Sequence, residues 1–230
     1  MKVLVTGVKG QLGFDVVNEL EKRGHTAIGV DVDTMDITNP EQVESVIKAN
    51  MPEAVIHCAA YTAVDLAEDN KELCDKINGE GTENIAKVCK EINAKLMYIS
   101  TDYVFNGEGE RPWEPDDKVT TPLNEYGYAK YLGEQAVQKY VKDFYIVRIA
   151  WVGKNHDTVR VVNDQIGTPT YTFDLARLLV DMIETDKYGI YHATNEGGYI
   201  SWYDFTCEIY RQAGYTTNVV PVTTEEGKAS

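Results

Sequence analysis

The sequence predicts an α/β protein built on a parallel sheet with helices on both faces. Short apolar runs alternate with stretches of helical periodicity over the first 150 residues or so, and a glycine-spaced loop joins the first strand to the first helix. The length, 230 residues, suits one such core with a small appended lobe.

Lys2-Val-Leu-Val-Thr6 reads as a short buried strand, and Gly7-Val-Lys-Gly10-Gln-Leu-Gly13 follows it at once. A helical stretch then runs to about Arg23, with Leu12, Val16, Val17 and Leu20 on one side. Strand, glycine loop and helix in this order lay a dinucleotide pyrophosphate on a helix N-terminus. Gly7 serves the tight turn, Gly10 the close backbone approach and Gly13 the packing of helix on strand. The spacing is G-x-x-G-x-x-G, a departure from G-x-G-x-x-G, and an ordinary glycine turn is the alternative. The second strand, Thr26–Val30, ends at Asp31, with Asp33 two residues on. An acid there can accept both hydroxyls of an adenosine ribose and would repel a 2′-phosphate, which favours NADH.

Asn39 can cap a helix that has Pro40 at its first position and Gln42 three residues after the cap. That helix ends near Asn50. Ala54-Val-Ile-His-Cys58 is the third strand, and Ala59-Ala60-Tyr61-Thr62 leads off its end. A long helical stretch covers about Asn70 to Asn93. Lys95–Ser100 is the fourth strand, a helix through Tyr126 runs to about Lys142, and Phe144–Ile149 is the fifth strand. The alternation describes a Rossmann-type doubly wound parallel sheet over residues 1–150, with its chemistry at the carboxyl ends of the strands. Residues 151–230 form the C-terminal lobe: a helix near Phe173–Glu184, a strand Gly189–His192, and a helix capped by Ser201 that runs to about Ala213.

Tyr126 and Lys130 are four residues apart, so on a helix they share a face one turn apart. An ammonium held there is expected to favour the phenolate and pull the tyrosine down from about 10. A phenol so tuned exchanges a proton with a substrate oxygen at working pH. By itself the pair means little, because roughly one such spacing is expected by chance and an exposed pair on an amphipathic helix explains it equally well. Ser100-Thr101-Asp102 ends the fourth strand, where the Thr101 hydroxyl can share the stabilisation of developing negative charge. A turn or helix cap is the plainer reading of that run.

The net charge is 22 − 37 = −15, which argues against nucleic acid and anionic membrane as partners. No apolar run approaches the roughly 18 residues that a bilayer requires. The start reads as a strand and not as a signal peptide, which suggests a cytoplasmic protein. Cys58, Cys74, Cys89 and Cys207 form no C-x-x-C pair and are expected to be reduced packing residues. His25, His57, His156 and His192 lack metal-ligand spacing, so no catalytic metal is expected.

Glycine loop, strand-end hydroxyl and Tyr-x-x-x-Lys, in this order, resemble the extended short-chain dehydrogenase/reductase family. The nearer likeness is to its reductases of dTDP-4-dehydro-L-rhamnose. It is carried by Cys58-Ala-Ala-Tyr-Thr62-Ala-Val-Asp65, Ser100-Thr-Asp-Tyr-Val-Phe105, Tyr126-Gly-Tyr-Ala-Lys130, Asn163-Asp-Gln-Ile-Gly-Thr-Pro-Thr-Tyr171 and Asp174-Leu-Ala-Arg177. The resemblance implies reduction of a C4 ketone by NADPH or NADH. Tyr126 would be the proton donor, Thr101 its hydroxyl partner, Lys130 the holder of the nicotinamide ribose, and Asn78 the support of a relay water. A solvent-facing polar residue in mid-helix is the alternative for Asn78. Gly10, Gln11 and Leu12 would line the pyrophosphate, Asp31 the adenosine ribose, Asp36 and Ile37 the adenine, and Ala60 and Thr62 the nicotinamide half. Thr101, Asp102 and Trp151 would meet the dTDP-sugar. Gln165, in the loop before Pro169, offers it a donor and an acceptor.

The resemblance allows a homodimer. It also leaves open a nucleotide-sugar epimerase or dehydratase, and a non-catalytic binding subunit like the regulatory beta subunit of methionine adenosyltransferase. Between Asn155 and Val161, and at its end at Ser230, the chain is shorter than the family pattern, so either the 151–230 lobe is abbreviated or pieces of it are absent from this sequence.

Overall fold

A computed structural model of the chain describes residues 1–108, 111–150, 159–213 and 218–228. In chain order the first elements are β1 (Lys2–Thr6), α1 (Gln11–Lys22), β2 (Thr26–Val30), α2 (Pro40–Asn50) and β3 (Ala54–His57). Then come α3 (Val64–Ala67), α4 (Lys71–Cys74), a π turn (Asp75–Glu80), α5 (Gly81–Ile92) and β4 (Lys95–Thr101). A 3-10 turn (Asp102–Val104) precedes α6 (Glu125–Tyr140) and β5 (Phe144–Ile149). The remainder holds β6 (Val159–Val162), β7 (Ile166–Gly167), α7 (Thr172–Ile183) and β8 (Gly189–Ala193). Last come β9 (Ile200–Ser201), α8 (Trp202–Ala213), β10 (Val219–Val222) and α9 (Thr224–Lys228).

Six parallel strands make the main sheet in the order β2-β1-β3-β4-β5-β8. The order turns back between β1 and β3, so the crevice outside their carboxyl ends is the topological switch point where such sheets bind ligands. Alternate side chains of each strand enter opposite cores, as the period of two requires. Leu4, Val55, Leu96 and Ile146 pack under α2, α5 and α6, through Val43, Ile47, Ile85, Cys89 and Val137. Val3, Val5, Ile56, Met97 and Tyr145 face α1 and α7, through Val16, Leu20, Leu175, Leu179 and Ile183. Each such fully buried aliphatic side chain contributes about 1.5–3 kcal/mol.

Local signals hold at most boundaries. The Asn39 carboxamide accepts from the N–H groups of Glu41 and Gln42, and Asn124 caps α6 by accepting from Gly127. Ser201 accepts from the N–H of Asp204 at the head of α8. Gln42 departs from a capping box: its Oε1 takes the N–H of Asp36, which pins the loop after β2. The stretch from Asn70 to Asn93 is helical but interrupted by the π turn. Among the described residues no helix is long and apolar enough to cross a membrane, and all four cysteines are free thiols.

The chain divides into two units, 1–149 with 172–193, and 150–171 with 194–230. The lobe expected over 151–230 is therefore not one continuous piece. Residues Thr172–Ala193 return to the first unit because Gly189–Ala193 pairs in parallel with Tyr145–Ile149, burying β5 on both edges, and α7 supplies the apolar face that covers α1. In the second unit β6 pairs with β10 and β7 with β9.

Candidate functional site

Gly7 has φ +70, and a Cβ there would stand 2.8 Å from the Cα and N of Ala59, so the loop after β1 lies directly against the segment after β3. Only glycine meets both demands. A Cβ on Gly13 would run into the carbonyl of Gly7, so helix α1 starts hard against the same loop. Gly10 is the N-cap of α1, with no side-chain cap and no acidic residue in the first turn. The opening N–H groups of the helix are thus left for an external acceptor, and an anion is the partner favoured there.

Asp31 closes the edge of this cradle. Its Oδ2 accepts the backbone N–H of Lys9 at 2.9 Å and its Oδ1 that of Val32. Lys9 also pairs with Asp33 at 2.9 Å, both side chains in solvent. Downstream, the Asp36 carboxylate accepts from the N–H and hydroxyl of Thr38, and Ile37 is buried against Gly81. A dinucleotide fits what these residues offer: close backbone approach, uncapped N–H groups and a carboxylate.

The second cluster gathers on α6. A Cβ on Gly127 would collide with the carbonyl of Tyr103, so the head of α6 packs directly on the turn that follows β4. Tyr126 is half-buried with its ring edge-on to Tyr103 at 6.2 Å, and it packs, as Tyr61 does, against the cluster of Ala67, Cys74 and Ala129. Lys130 lies one turn on, 2 % exposed, with Nζ 4.2 Å from the centre of the Tyr98 ring. No hydrogen-bond acceptor for that ammonium stands among the described residues.

The expectation that Lys130 lowers the Tyr126 pKa is corrected. Burial, with Asp102, Cys74 and Tyr103 adding to it, pushes the phenol well above the usual tyrosine range. Burial likewise pulls Lys130 down to about 7, against partial compensation from Glu134, Cys58 and Cys74. Sharing a helix face does not make an ion pair here, because the ammonium points onto Tyr98 in a site with little water to stabilise either charge. In the protein alone, Tyr126 is a protonated phenol at neutral pH.

Thr101 serves first as the cap that its sequence context also allowed. Its Oγ1 accepts the N–H of Tyr103 at 3.2 Å and donates to Asp102 Oδ1 at 3.0 Å. Asp102 as a residue is exposed, yet the protein around its carboxyl removes enough water to raise it to about 6. Asn78 is 1 % exposed, which excludes the solvent-facing alternative. Its Oδ1 accepts the N–H of Tyr61, and its Nδ2 donates to the carbonyl of Tyr61 and to Cys74 Sγ. Both N–H donors are spent on protein, so what it holds directly is the Ala60–Thr62 segment.

Sequence reasoning missed the polar network beneath α6. Glu134, fully buried, receives Arg148 through Nε at 2.8 Å and Nη2 at 2.7 Å, and the Ser100 hydroxyl at 2.6 Å. Arg148 also lies over the Phe105 ring, and Phe105 stacks on Trp113 at 4.5 Å. An arginine inside the apolar run Phe144–Ile149, and a glutamate one turn after Lys130, were the available signals.

In the second unit, Gln165 donates Nε2 to the Thr224 hydroxyl, while Asp164 accepts the N–H and hydroxyl of Thr224. The loop that carries Gln165 is thereby tied to α9. Trp151, expected on the substrate side, lies outside the described residues.

A doubly wound sheet with a glycine cradle at its switch point places the chain in the dinucleotide-binding class of α/β proteins. Within that class it belongs to the family described as the RmlD substrate binding domain, whose model matches residues 1–230. A dTDP-4-dehydrorhamnose reductase of Streptomyces griseus is 40 % identical, over 92 % of this chain and 76 % of its own length. The spore coat polysaccharide biosynthesis protein SpsK of Bacillus subtilis is 38 % identical, over 98 % of this chain and 84 % of its own. Among solved structures, a dTDP-4-dehydrorhamnose reductase from Bacillus anthracis in complex with NADP superposes with a TM-score of 0.91 at 39 % identity. That match covers 100 % of this chain and 87 % of the other.

Proposed function

We propose that the chain is an NAD(P)H-dependent oxidoreductase that reduces the C4 ketone of dTDP-4-dehydro-L-rhamnose to give dTDP-L-rhamnose. The observation that carries this reading is the buried Lys130 side chain, without an acceptor among the described residues, one turn from Tyr126 and near His57 and Cys58 at the carboxyl end of β3. A ribose hydroxyl is the kind of acceptor such an ammonium lacks. The family and the named relatives direct the choice of substrate.

When bound, the reduced nicotinamide supplies a hydride to the carbonyl carbon. Tyr126, held in the acid form, gives its proton to the carbonyl oxygen as charge develops there. Lys130 orients the ribose. The Thr101 hydroxyl, once turned from Asp102 towards the substrate, donates to the same oxygen. Gly7, Gly10, Gln11, Leu12 and Gly13 receive the pyrophosphate, Asp31 the adenosine ribose, Asp36 and Ile37 the adenine, and Ala60 and Thr62 the nicotinamide half. The first unit is thus assigned to the cofactor. The second, with Gln165, is assigned to the dTDP-sugar.

The test mixes the protein, NADPH and dTDP-4-dehydro-L-rhamnose, follows the nicotinamide absorbance and identifies the product by NMR. Stoichiometric oxidation with formation of dTDP-L-rhamnose is expected. Tight binding of NADPH with no turnover of any 4-keto dTDP-sugar would make the chain a binding subunit instead.

Asp31→Ala supplies a sharper check on the cofactor half. Because Asp31 also holds the Lys9 N–H, its loss should weaken both dinucleotides, and that shared part cancels in their ratio. The ratio of NADH to NADPH dissociation constants is expected to rise roughly tenfold, the size of one hydrogen bond to a charged group. An unchanged ratio in fluorescence titrations would place the adenosine ribose elsewhere, with Asp33 the next residue to replace.

A further inference from the structure

Thr6 ends β1 and His57 ends β3, and both are 1 % exposed. Thr6 Oγ1 lies 2.8 Å from His57 Nδ1 and accepts the backbone N–H of Ala59 at 3.0 Å. On the other side of the ring, His57 Nε2 lies 3.1 Å from Thr82 Oγ1, which donates its proton to the carbonyl of Asn78 at 2.7 Å. Since the Thr82 proton is spent, Thr82 must accept from His57, and Nε2 carries a hydrogen. Burial, helped by the charge of Lys130, depresses the imidazole to about 3, so it holds one proton only. Nδ1 is therefore an acceptor, and Thr6 is its donor.

The direction of every bond follows. Ala59 N–H gives to Thr6, Thr6 to His57, His57 to Thr82, and Thr82 to the Asn78 carbonyl in the π turn. The Asn78 side chain then grips both the N–H and the C=O of Tyr61. A chain of hydrogen bonds that leaves the backbone at Ala59 returns to it two residues later, at Tyr61. The enclosed segment is the one that packs on Gly7, at the switch point of the sheet. A π turn of this kind is frequent at functional sites, and here its carbonyl has the Thr82 hydroxyl as a partner.

We infer that His57 is a positioning residue: as a neutral imidazole in one fixed tautomer, it holds the Ala59–Tyr61 segment against the π turn and thereby sets the affinity for the nicotinamide cofactor without touching it. The inference rests on the cofactor reading given above.

Thr82→Val tests it, because the change removes the partner of His57 and keeps the volume of a buried side chain, while Thr82→Ser restores the hydroxyl. In titrations of the full chain with NADPH, followed by nicotinamide fluorescence, Thr82→Val is expected to raise Kd about tenfold, and Thr82→Ser to bring it back within about threefold of wild type. The kcat at saturating cofactor should change by less than about threefold. Without cofactor, nitrogen NMR of histidine-labelled protein should show His57 with Nε2 protonated, Nδ1 bare, and no titration down to about pH 5. Thr82→Val should expose that Nε2 hydrogen to exchange.

An unchanged Kd in Thr82→Val, or an equal loss in Val and Ser variants, overturns the inference while the cofactor reading stands. A His57 protonated at Nδ1, or one that titrates above about pH 5, removes the tautomer on which it is built. Failure of the wild-type chain to bind NADPH overturns the cofactor reading, and the inference about affinity with it.

Discussion

Tyr126→Phe is expected to cut kcat by about 10²–10⁴-fold, the usual worth of a positioned general acid, while the Kd for NADPH stays within about threefold. The structure makes this substitution a clean one. The Tyr126 hydroxyl has no hydrogen bond to a described residue, so its removal orphans no donor or acceptor, and the ring keeps its contact with Tyr103 and its place against the cluster of Ala67, Cys74 and Ala129. Stability should therefore hardly move. Single-turnover kinetics with saturating NADPH would isolate the chemical step from product release. A rate near that of wild type would remove Tyr126 from the reaction. The pH profile adds a second check. Tyr126 sits well above its ordinary range, so it stays protonated through neutrality, whereas Lys130 loses its proton as pH rises through about 7. A fall of kcat/KM in that window reports the free enzyme's lysine and not the tyrosine.

Glu134→Ala should be the most damaging single change to stability, at about 3–5 kcal/mol, because it leaves the Arg148 guanidinium buried without its counter-charge. Arg148 is 4 % exposed, and two of its nitrogens spend their hydrogens on Glu134. The Ser100 hydroxyl would lose its acceptor as well. Against a total of about 5–15 kcal/mol for an ordinary domain, the loss is a large fraction. The pair itself need not be strongly stabilising, since desolvation offsets most of its attraction. Replacing both partners together, Glu134→Leu with Arg148→Met, should therefore recover most of the stability that Glu134→Ala loses. Denaturant midpoints of the three proteins decide the matter. A loss below about 1 kcal/mol in Glu134→Ala would mean that Arg148 finds water or another acceptor.

Much of the fold was legible because its signals are local. The five strands to Ile149, the Asn39 and Ser201 caps and the glycine loop all depend on neighbours within a few residues, and all are found within a residue or two of where periodicity and cap chemistry put them. Where a signal was shared between two outcomes, the local reading failed. The spacing of Tyr126 and Lys130 correctly put them on one helix face, but not in one ion pair. Gln42 suited a capping box and instead binds Asp36, because the loop after β2 comes within its reach. The return of α7 and β8 to the first unit was not legible either. A strand such as Gly189–Ala193 carries no mark of which edge it will join.

The sequence by itself determined the class of this protein: a wound parallel sheet, a glycine loop between its first strand and first helix, and a strand-end hydroxyl ahead of a tyrosine and a lysine. Periodicity, turn residues and motif order are written in neighbouring positions, so no folding is required to read them. Only the tertiary structure decided the protonation of that tyrosine and lysine, the capping use of Thr101, the grip of Asn78 on Tyr61 and the closed ring through His57. Those depend on how much water reaches a group and on which donor faces which acceptor. Residues from β1, β3, β4 and three helical segments must meet before either quantity has a value.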